Sequence, residues 1–428
     1  MSRSALETGW LEEARREARA VFEKTEPPAK TVETWRRVDF NAWRLNLLGQ
    51  AGASGPAPLV AASPVLGGAA GVLTQADDAA SLTTVVDPEL VHQGVLLMGL
   101  EDAASRHPEL VEPYLGSLQA APAFRKLEAA SLARFHGGAF LYVPAGLRVE
   151  KPFEFSFLHS PENVFSFPRV LVIAESGTQI SIIESHLACE EGPAPAGSKS
   201  SSIVFSRLVA KEGARVSYAY EQTLPPGTSH FWHQQADLAQ DVALRHYSVL
   251  LGSAVHKSEL DVRLNGVGAE SELYGILFGT KNQTFDPHTA QWHSASRSTS
   301  DLLFRSALRD RARAIYTGLI RIEAEAKGCE AFQQNDNRLL SNDARADTTP
   351  VLEILTDEVR CKHGATIGPV NPDELFYLCS RGLDPLEASR ILILGFFDPI
   401  LNQLPERLRE RLTEEVTRRL AAWTPRIP

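Results

Sequence analysis

Two stretches far apart in the chain, Ile173-Ala-Glu-Ser-Gly177-Thr-Gln-Ile180-Ser-Ile182 and Val209-Ala-Lys-Glu-Gly213-Ala-Arg-Val216-Ser-Tyr218, align without a gap. Both read as strand, acidic turn with a glycine, strand. Weaker echoes follow at Gly268-Ala-Glu-Ser-Glu-Leu273 and at Asp310-Arg-Ala-Arg-Ala-Ile315-Tyr-Thr-Gly318. A unit this small cannot bury its own apolar face, so it must stack on copies of itself, which is the sequence signature of a solenoid. Strands and turns without a helix inside the repeat favour a β-helix over a leucine-rich array. The spacing is irregular, and a β-sandwich stays open as the alternative. The β texture, with period-two alternation of β-branched and aromatic residues, sets in at Phe140-Leu-Tyr-Val-Pro-Ala-Gly-Leu-Arg-Val149 and persists for about 220 residues.

The flanks have a different texture. Ser4 with Glu7 has capping-box spacing, and Leu6, Trp10, Ala14, Ala18, Val21 and Phe22 form an apolar stripe at helical period, ending near Pro27. Trp35, Phe40, Trp43, Leu47 and Leu48 read as a small local core. Residues 49–78 are rich in Gly, Ala, Pro and Ser and read as a loop. Helical character resumes from Pro88 to Ala133, divided by Pro108, Pro113 and Pro122. The expected organisation is a helical amino-terminal domain over 1–133, a β-helix core over 134–368 and a helical region over 369–428. In the last, Asn371-Pro372, Asp384-Pro385 and Asp398-Pro399 each place a capping side chain before proline at a helix start, with Glu374 and Glu387 completing two capping boxes. The second of these helices holds Ile391-Leu-Ile-Leu-Gly-Phe-Phe397, apolar all round and therefore buried. A final helix from Glu406 to about Trp423 is expected to help cover it.

Composition excludes several classes of function. The 428 residues carry a formal net charge of −10 with acidic and basic groups interspersed, which argues against nucleic acid as a partner. No apolar run approaches the roughly 18 residues of a membrane span, and the amino terminus lacks the apolar segment of a signal peptide. Cytoplasmic placement is expected. Cysteines 189, 329, 361 and 379 are too sparse for a disulfide framework.

The chemistry-bearing segment is Val359-Arg-Cys361-Lys-His363-Gly364-Ala-Thr-Ile-Gly368. Val359 to His363 reads as a short strand, so Cys361 and His363 project from one face with Cα atoms roughly 6 to 7 Å apart. Thiolate and imidazole suit zinc, ferrous iron or an iron–sulfur centre. A cluster wants about four ligands, and this segment offers two. On spacing alone the favoured reading is structural: Cys361 as a small buried hydrophobe, His363 as a hydrogen-bonded residue at a strand end, and Gly364 and Gly368 flanking a turn. Gly192-Pro-Ala-Pro-Ala-Gly197-Ser-Lys199 mimics a nucleotide-binding loop, but its lysine falls one place late and no helix follows. His230, His233, His246, His256, His288 and His293 crowd the second half of the β region, where a metal enzyme would draw its ligands. Their spacing is not diagnostic, and they read as polar residues lining turns. A free-standing β-helix enzyme, acting on a polysaccharide or using a His-bound metal, is the alternative function.

From about Asp286 to Gly395 the chain resembles the SufB/SufD family of the Suf iron–sulfur cluster assembly system. The likeness rests on Tyr316-Thr-Gly318, Phe332-Gln-Gln-Asn-Asp-Asn-Arg-Leu-Leu340, Ala346-Asp-Thr-Thr-Pro350-Val-Leu-Glu-Ile354, Cys361-Lys-His-Gly-Ala-Thr-Ile-Gly368 and Glu374-Leu-Phe-Tyr-Leu-Cys-Ser-Arg-Gly382. It implies a right-handed parallel β-helix between two helical regions. It also implies a non-catalytic scaffold that pairs with a SufB-like subunit and two copies of the ATPase SufC. The C-x-H-G-A-T form is similar to the SufD-type members, whose histidine lies at the SufB contact where the nascent cluster is built; here that is His363, with Cys361 beside it. On this resemblance the chain alone holds no stable cofactor, a transient cluster forms in the complex, and the isolated chain is a candidate homodimer. Apolar surface on the two helices after Asn371, at Leu375, Phe376, Leu378, Ile391, Leu394, Phe396 and Phe397, is expected to dock the ATPase. A helical hairpin packed only on the end of the solenoid would leave such a patch exposed.

Overall fold

The computed structural model describes residues 9–48, 67–77, 82–160, 164–189 and 199–421. Its strands, numbered along the chain, are β1 (Gly71–Ala76), β2 (Thr83–Val86), β3 (Leu96–Met98), β4 (Ala139–Val143), β5 (Phe153–His159), β6 (Phe165–Ser166), β7 (Arg169–Ala174), β8 (Gln179–Ala188), β9 (Ser200–Ala210), β10 (Arg215–Thr223), β11 (Thr228–Leu238), β12 (Ala243–Leu250), β13 (Val255–Leu264), β14 (Glu270–Gly279), β15 (Thr284–His293), β16 (Thr299–Leu308), β17 (Arg313–Ile322), β18 (Cys329–Leu339), β19 (Arg345–Ile354) and β20 (Val359–Pro369). From β7 onward they alternate between two sheets. The first sheet runs β2-β1-β5-β8-β10-β12-β14-β16-β18-β20 and the second β19-β17-β15-β13-β11-β9-β7-β4-β3, with β6 beside β9. Pairing is parallel except for β1 with β2 and β3 with β4. This is a parallel β-solenoid of about eight turns, and the sandwich alternative falls away. Its inner faces meet in one continuous core that includes Phe155, Tyr218, Trp232, Leu260, Leu277, Phe285 and Tyr316.

Three of the four repeats are one corner of the stack, and the fourth, around Asp310, lies at the opposite corner between β16 and β17. Gly146, Gly177, Gly213, Asp241, Gly268, Arg297 and Gly328 all hold left-handed φ between 54° and 75°. Each donates its N–H to a carbonyl of the next turn: Gly146 to Ser176, Gly177 to Glu212, Gly213 to Gln240, Asp241 to Val267, Gly268 to Ser296, Arg297 to Lys327 and Gly328 to Glu358, at 2.7 to 3.2 Å. Glycine takes this conformation without steric cost. Asp241 and Arg297 bear it with a β-carbon, so their turns do not look like repeats in the sequence.

Helices cover both outer faces. Helices α1 (Gly9–Lys24), α2 (Pro88–His92), α3 (Leu100–Arg106), α4 (Pro108–Leu115) and α5 (Arg125–Arg134) precede or interrupt the first strands. Trp35, Trp43, Phe124 and Leu127 pack there against Leu171, Ile203, Phe205 and Phe231 on the outside of the second sheet. The aromatic residues expected to form a local core thus form an inter-layer contact. On the first sheet, Ile183, Tyr247, Val249, Ile276 and Phe278 are covered by Ile393, Phe397, Ile400, Leu408, Leu412 and Val416. Those six belong to α7 (Pro385–Leu401) and α8 (Glu406–Ala421), while α6 (Pro372–Ser380) leads into them.

Several expectations need correction. The region 1–133 is not helical throughout, because β1, β2 and β3 join the solenoid sheets. β1 sits inside the stretch read as a loop over 49–78: Gly71-Val-Leu-Thr-Gln-Ala76 is a short apolar run hidden by its neighbours' composition, and it pairs in parallel with β5. Residues 49–66 and the Ser4–Glu7 capping box lie outside the described residues. The Asn371 and Asp384 side chains do cap α6 and α7, accepting from Asp373 N and Leu386 N at 2.9 Å. Asp398-Pro399 starts no helix; α7 runs through it because Ile400 and Leu401 are drawn onto the first sheet. Of the helical hairpin, α7 packs along the first sheet and not on the solenoid end, and α6 packs on α7.

The left-handed column yields a stability prediction. Arg297→Gly removes a β-carbon from φ 57° and should stabilise the chain by about 0.5–1 kcal/mol, the left-handed penalty less the added freedom of the unfolded chain. The midpoint of denaturant unfolding measures it, and an unchanged or lower midpoint would contradict it.

Candidate functional site

The two sheets end together at β19 and β20, which have neighbours on one side only. β20 pairs with β18 without interruption, Cys361 opposite Ala331, His363 opposite Gln333, Ala365 opposite Asn335 and Ile367 opposite Asn337. The expected turn at Gly364 and Gly368 is therefore strand, and His363 lies in mid-strand, not at a strand end. Gln333, Asn335 and Asn337 are buried and inward-facing, so Cys361, His363, Ala365 and Ile367 continue the inner face of the solenoid into the open. His363 is exposed, Ile367 is 46% exposed, and Ile354 and Leu355 at the end of β19 are 36% and 54% exposed.

The last inner layer is made of amides. Asn335 Nδ2 donates to Phe304 O (3.2 Å), and Asn337 Nδ2 donates to Asn335 Oδ1 (2.8 Å) and to Thr366 O (3.2 Å) on the edge strand. Cys361 behaves differently from His363. It is half-buried and packs on Ile320, Ile322, Ala326, Cys329 and Ala331. Burial pushes its thiol up, the neighbouring Cys329 adds to the effect, and a backbone hydrogen bond from Ala331 opposes it. The two donors share a face, as their spacing requires, and only the imidazole is freely presented.

The other histidines do not line turns. The six singled out from the β region lie within strands, and His159, His186, His230 and His256 follow one another along one inner corner with ring centroids 5.2 to 5.5 Å apart. Glu184 beside them accepts from Ser206 (3.1 Å), Trp232 (3.0 Å) and Tyr218, and lies 2.9 Å from His186 Nε2. Burial lowers His246 and His256 to about 3 and His293 to about 4. His233 and His288 face outward, toward the helical layer. Burial alone would lower His288, but Glu259 and Asp286 carry it up to about 9. Among the described residues no three His, Cys, Asp or Glu side chains converge as a metal site. The histidines singled out from the sequence belong to no such convergence, and Cys361 and His363 bring two ligand-type side chains to one face.

Residues 157–396 match the family model described as SUF system FeS cluster assembly, SufBD core domain. The chain belongs to the SufB/SufD family. The iron–sulfur cluster assembly protein SufD of Bacillus subtilis (strain 168) is 30% identical over 334 residues, 78% of this chain and 75% of that protein. A SufBD family protein of Staphylococcus saprophyticus is 27% identical over 320 residues, 75% of this chain and 68% of its own length. One of Staphylococcus epidermidis is 28% identical over the same shares. The span matched to the SufBD core runs from within β5 into α7 and contains the whole open end. No helix among the described residues is long and apolar enough to cross a membrane.

Sequence reasoning singled out Cys361 and His363 and did not foresee the exposure of Ile354, Leu355 and Ile367. Their signal was present, since an apolar residue on the inner face of a last strand has no following turn to bury it. The packing of Cys361 is testable by alkylation followed by peptide mass spectrometry. The midpoint of its pH profile should lie above the ~8.5 of an unperturbed thiol. At pH 7 it should react several-fold more slowly than in the denatured chain; equal rates would refute the packing.

Proposed function

We propose that this chain is a non-catalytic scaffold subunit of the Suf system, which pairs end to end with a SufB-like chain, docks the ATPase SufC and presents His363 where the nascent cluster is built. The observation that carries this reading is the open end: two strands side by side, each with one unpaired edge, and an exposed imidazole on the inner face of β20. Unpaired strand edges are templates for another chain. A partner solenoid that offered its own terminal strands would extend both sheets and cover Ile354, Leu355 and Ile367. Cys361 and His363 supply two of the roughly four ligands a cluster needs, and the partner supplies the rest, so the cluster is cargo of the pair. Without that partner, a second copy presents the same edges, which makes a homodimer the expected state of the isolated chain. The reading places the assembly in the cytoplasm, with two copies of SufC.

SufC docks on α6 and the outer side of α7. Phe376 is 74% exposed, Tyr377 55% and Ile391 41%, with Leu378, Leu394 and Phe396 half-buried beside them. Leu375 and Phe397 face inward and hold the helices in place.

Three substitutions test the reading in co-purification and anaerobic reconstitution. Ile367→Lys should abolish capture of the SufB-like chain while leaving ATPase binding intact. His363→Ala should leave fold and pairing unchanged and lower cluster yield in the complex; an undiminished yield would remove the histidine from the site. Phe376→Asp should weaken ATPase binding by about 2–4 kcal/mol, as loss of a central aromatic anchor does. Wild-type affinity in a correctly folded Phe376→Asp chain would move the docking site elsewhere.

A further inference from the structure

One row of side chains crosses the outside of the first sheet from α7 to the open edge. Arg305 on β16 is in register with Asp336 on β18, and Asp336 with Thr366 on β20. The three residues are in contact. Thr366 Oγ1 donates to Asp336 Oδ1 at 2.7 Å, and Arg305 Nε lies 3.6 Å from Asp336 Oδ2. Gln334 Nε2 also donates to Asp336 Oδ2, at 2.8 Å. At the other end, Arg305 donates through Nη1 to the carbonyl of Phe396 on α7. Its guanidinium lies 5.0 Å from the centre of the Phe396 ring, and that of Arg338, from β18, lies 5.1 Å from it. One aromatic side chain of α7 is thus held by two adjacent strands.

The edge strand has few other ties on this face. Glycines 364 and 368 flank Thr366 there, and a β-carbon built on either meets nothing within 4 Å. On the same face Arg360 Nη1 donates to Glu330 Oε1 at 3.1 Å near the start of the strand, and β20 is otherwise secured by its backbone pairing to β18, by Val359 and Cys361 packing and by the Asn337 amide on Thr366 O. Besides the chain itself, which leads from β20 through Val370 into α6, Thr366 is where movement of α7 would reach the strand that carries His363 through side chains.

We propose that Phe396, Arg305, Asp336 and Thr366 are positioning residues that couple occupancy of the α6–α7 surface to the placement of β20, so that a partner on the helices and a partner at the edge alter each other's affinity. This rests on the scaffold reading for the identity of the two partners, while the mechanical link is a property of this chain alone. Coupling of this kind is reciprocal: whatever factor the edge partner imposes on helix binding, the helix partner imposes on edge pairing.

The link is measured first without partners, by amide hydrogen exchange on the full chain. Phe396→Leu and Asp336→Asn should each raise exchange in residues 364–369 by at least several-fold, whereas Ile391→Ala, an exposed change on the same helix, should not. Unaltered protection of that segment in both variants overturns the proposal. The second measurement is the affinity of SufC for the free chain and for the chain paired with its SufB-like partner. The wild-type ratio should depart from one by about five-fold or more, and Asp336→Asn should return it to within two-fold of one with both binary contacts retained. A wild-type ratio of one, or a ratio insensitive to Asp336→Asn, rejects the coupling while leaving the scaffold reading intact. Failure of either partner to bind wild type rejects the scaffold reading, and the exchange experiment still decides the link.

Discussion

A parallel solenoid satisfies the backbone of each turn only through the turns above and below it, so it must finish somewhere with hydrogen-bonding groups unmet. A barrel escapes this by closing on itself; this fold has two ends and treats them differently. At the amino-terminal end the sheets finish in antiparallel strands, β2 and β3, with Leu82, Val86 and Leu90 packed against the core. At the other end β19 and β20 simply stop, and the inner face emerges as His363, Ala365 and Ile367. The end proposed to receive a partner is the edge that the chain leaves uncapped.

The helical layers reinforce that asymmetry. Each sheet has two faces, and parallel sheets are stable only when both are covered. The amino-terminal layer reaches Ile315 on β17, and the carboxyl-terminal layer reaches Ala307 on β16 and, through Phe396, Arg338 on β18. Both stop short of the last turn, so no residue of β19 or β20 is fully buried, whereas β11 is buried along nearly its whole length. The same economy explains α7. Its apolar residues point in every direction because Ile393, Phe397 and Ile400 face the sheet, Phe396 faces two guanidinium groups, and Ile391 is left outside.

How much of this the sequence discloses depends on whether the determinant is local. Gly177 and Gly213 advertise their turns because glycine is the residue that left-handed backbone favours, and the proline-preceded caps at Asn371 and Asp384 announce two helices for similarly local reasons. Asp241 and Arg297 occupy the same conformation with nothing to mark them, so the repeat looks irregular and its length is obscured. β1 is invisible because its identity as a strand comes from pairing with β5, many residues away. At the site, alternation alone places Cys361 and His363 on one face. That the face is inner, that the strand is the last and that the histidine is therefore exposed are facts of stacking order, which no window of sequence contains. The row from Arg305 through Asp336 to Thr366 is hidden for the same reason, since its members are brought together by register across three strands.

On the scaffold reading proposed above, a donor set divided between two chains suits the task better than a complete one on either. A cage of four ligands on one chain would bind a cluster whether or not any partner were present, and release would have to work against the full binding free energy. With donors divided between two chains, ligand convergence requires pairing, so cluster binding stabilises the pair and separation of the pair weakens the hold on the cluster by the same amount. The two donors here are graded in a way that fits such a division. Cys361 is packed with its thiol pushed up, while His363 stands in the open. An edge strand with few ties on its outer face is the natural place for that equilibrium to be adjusted, because a small change in the placement of β20 alters backbone pairing and ligand position together.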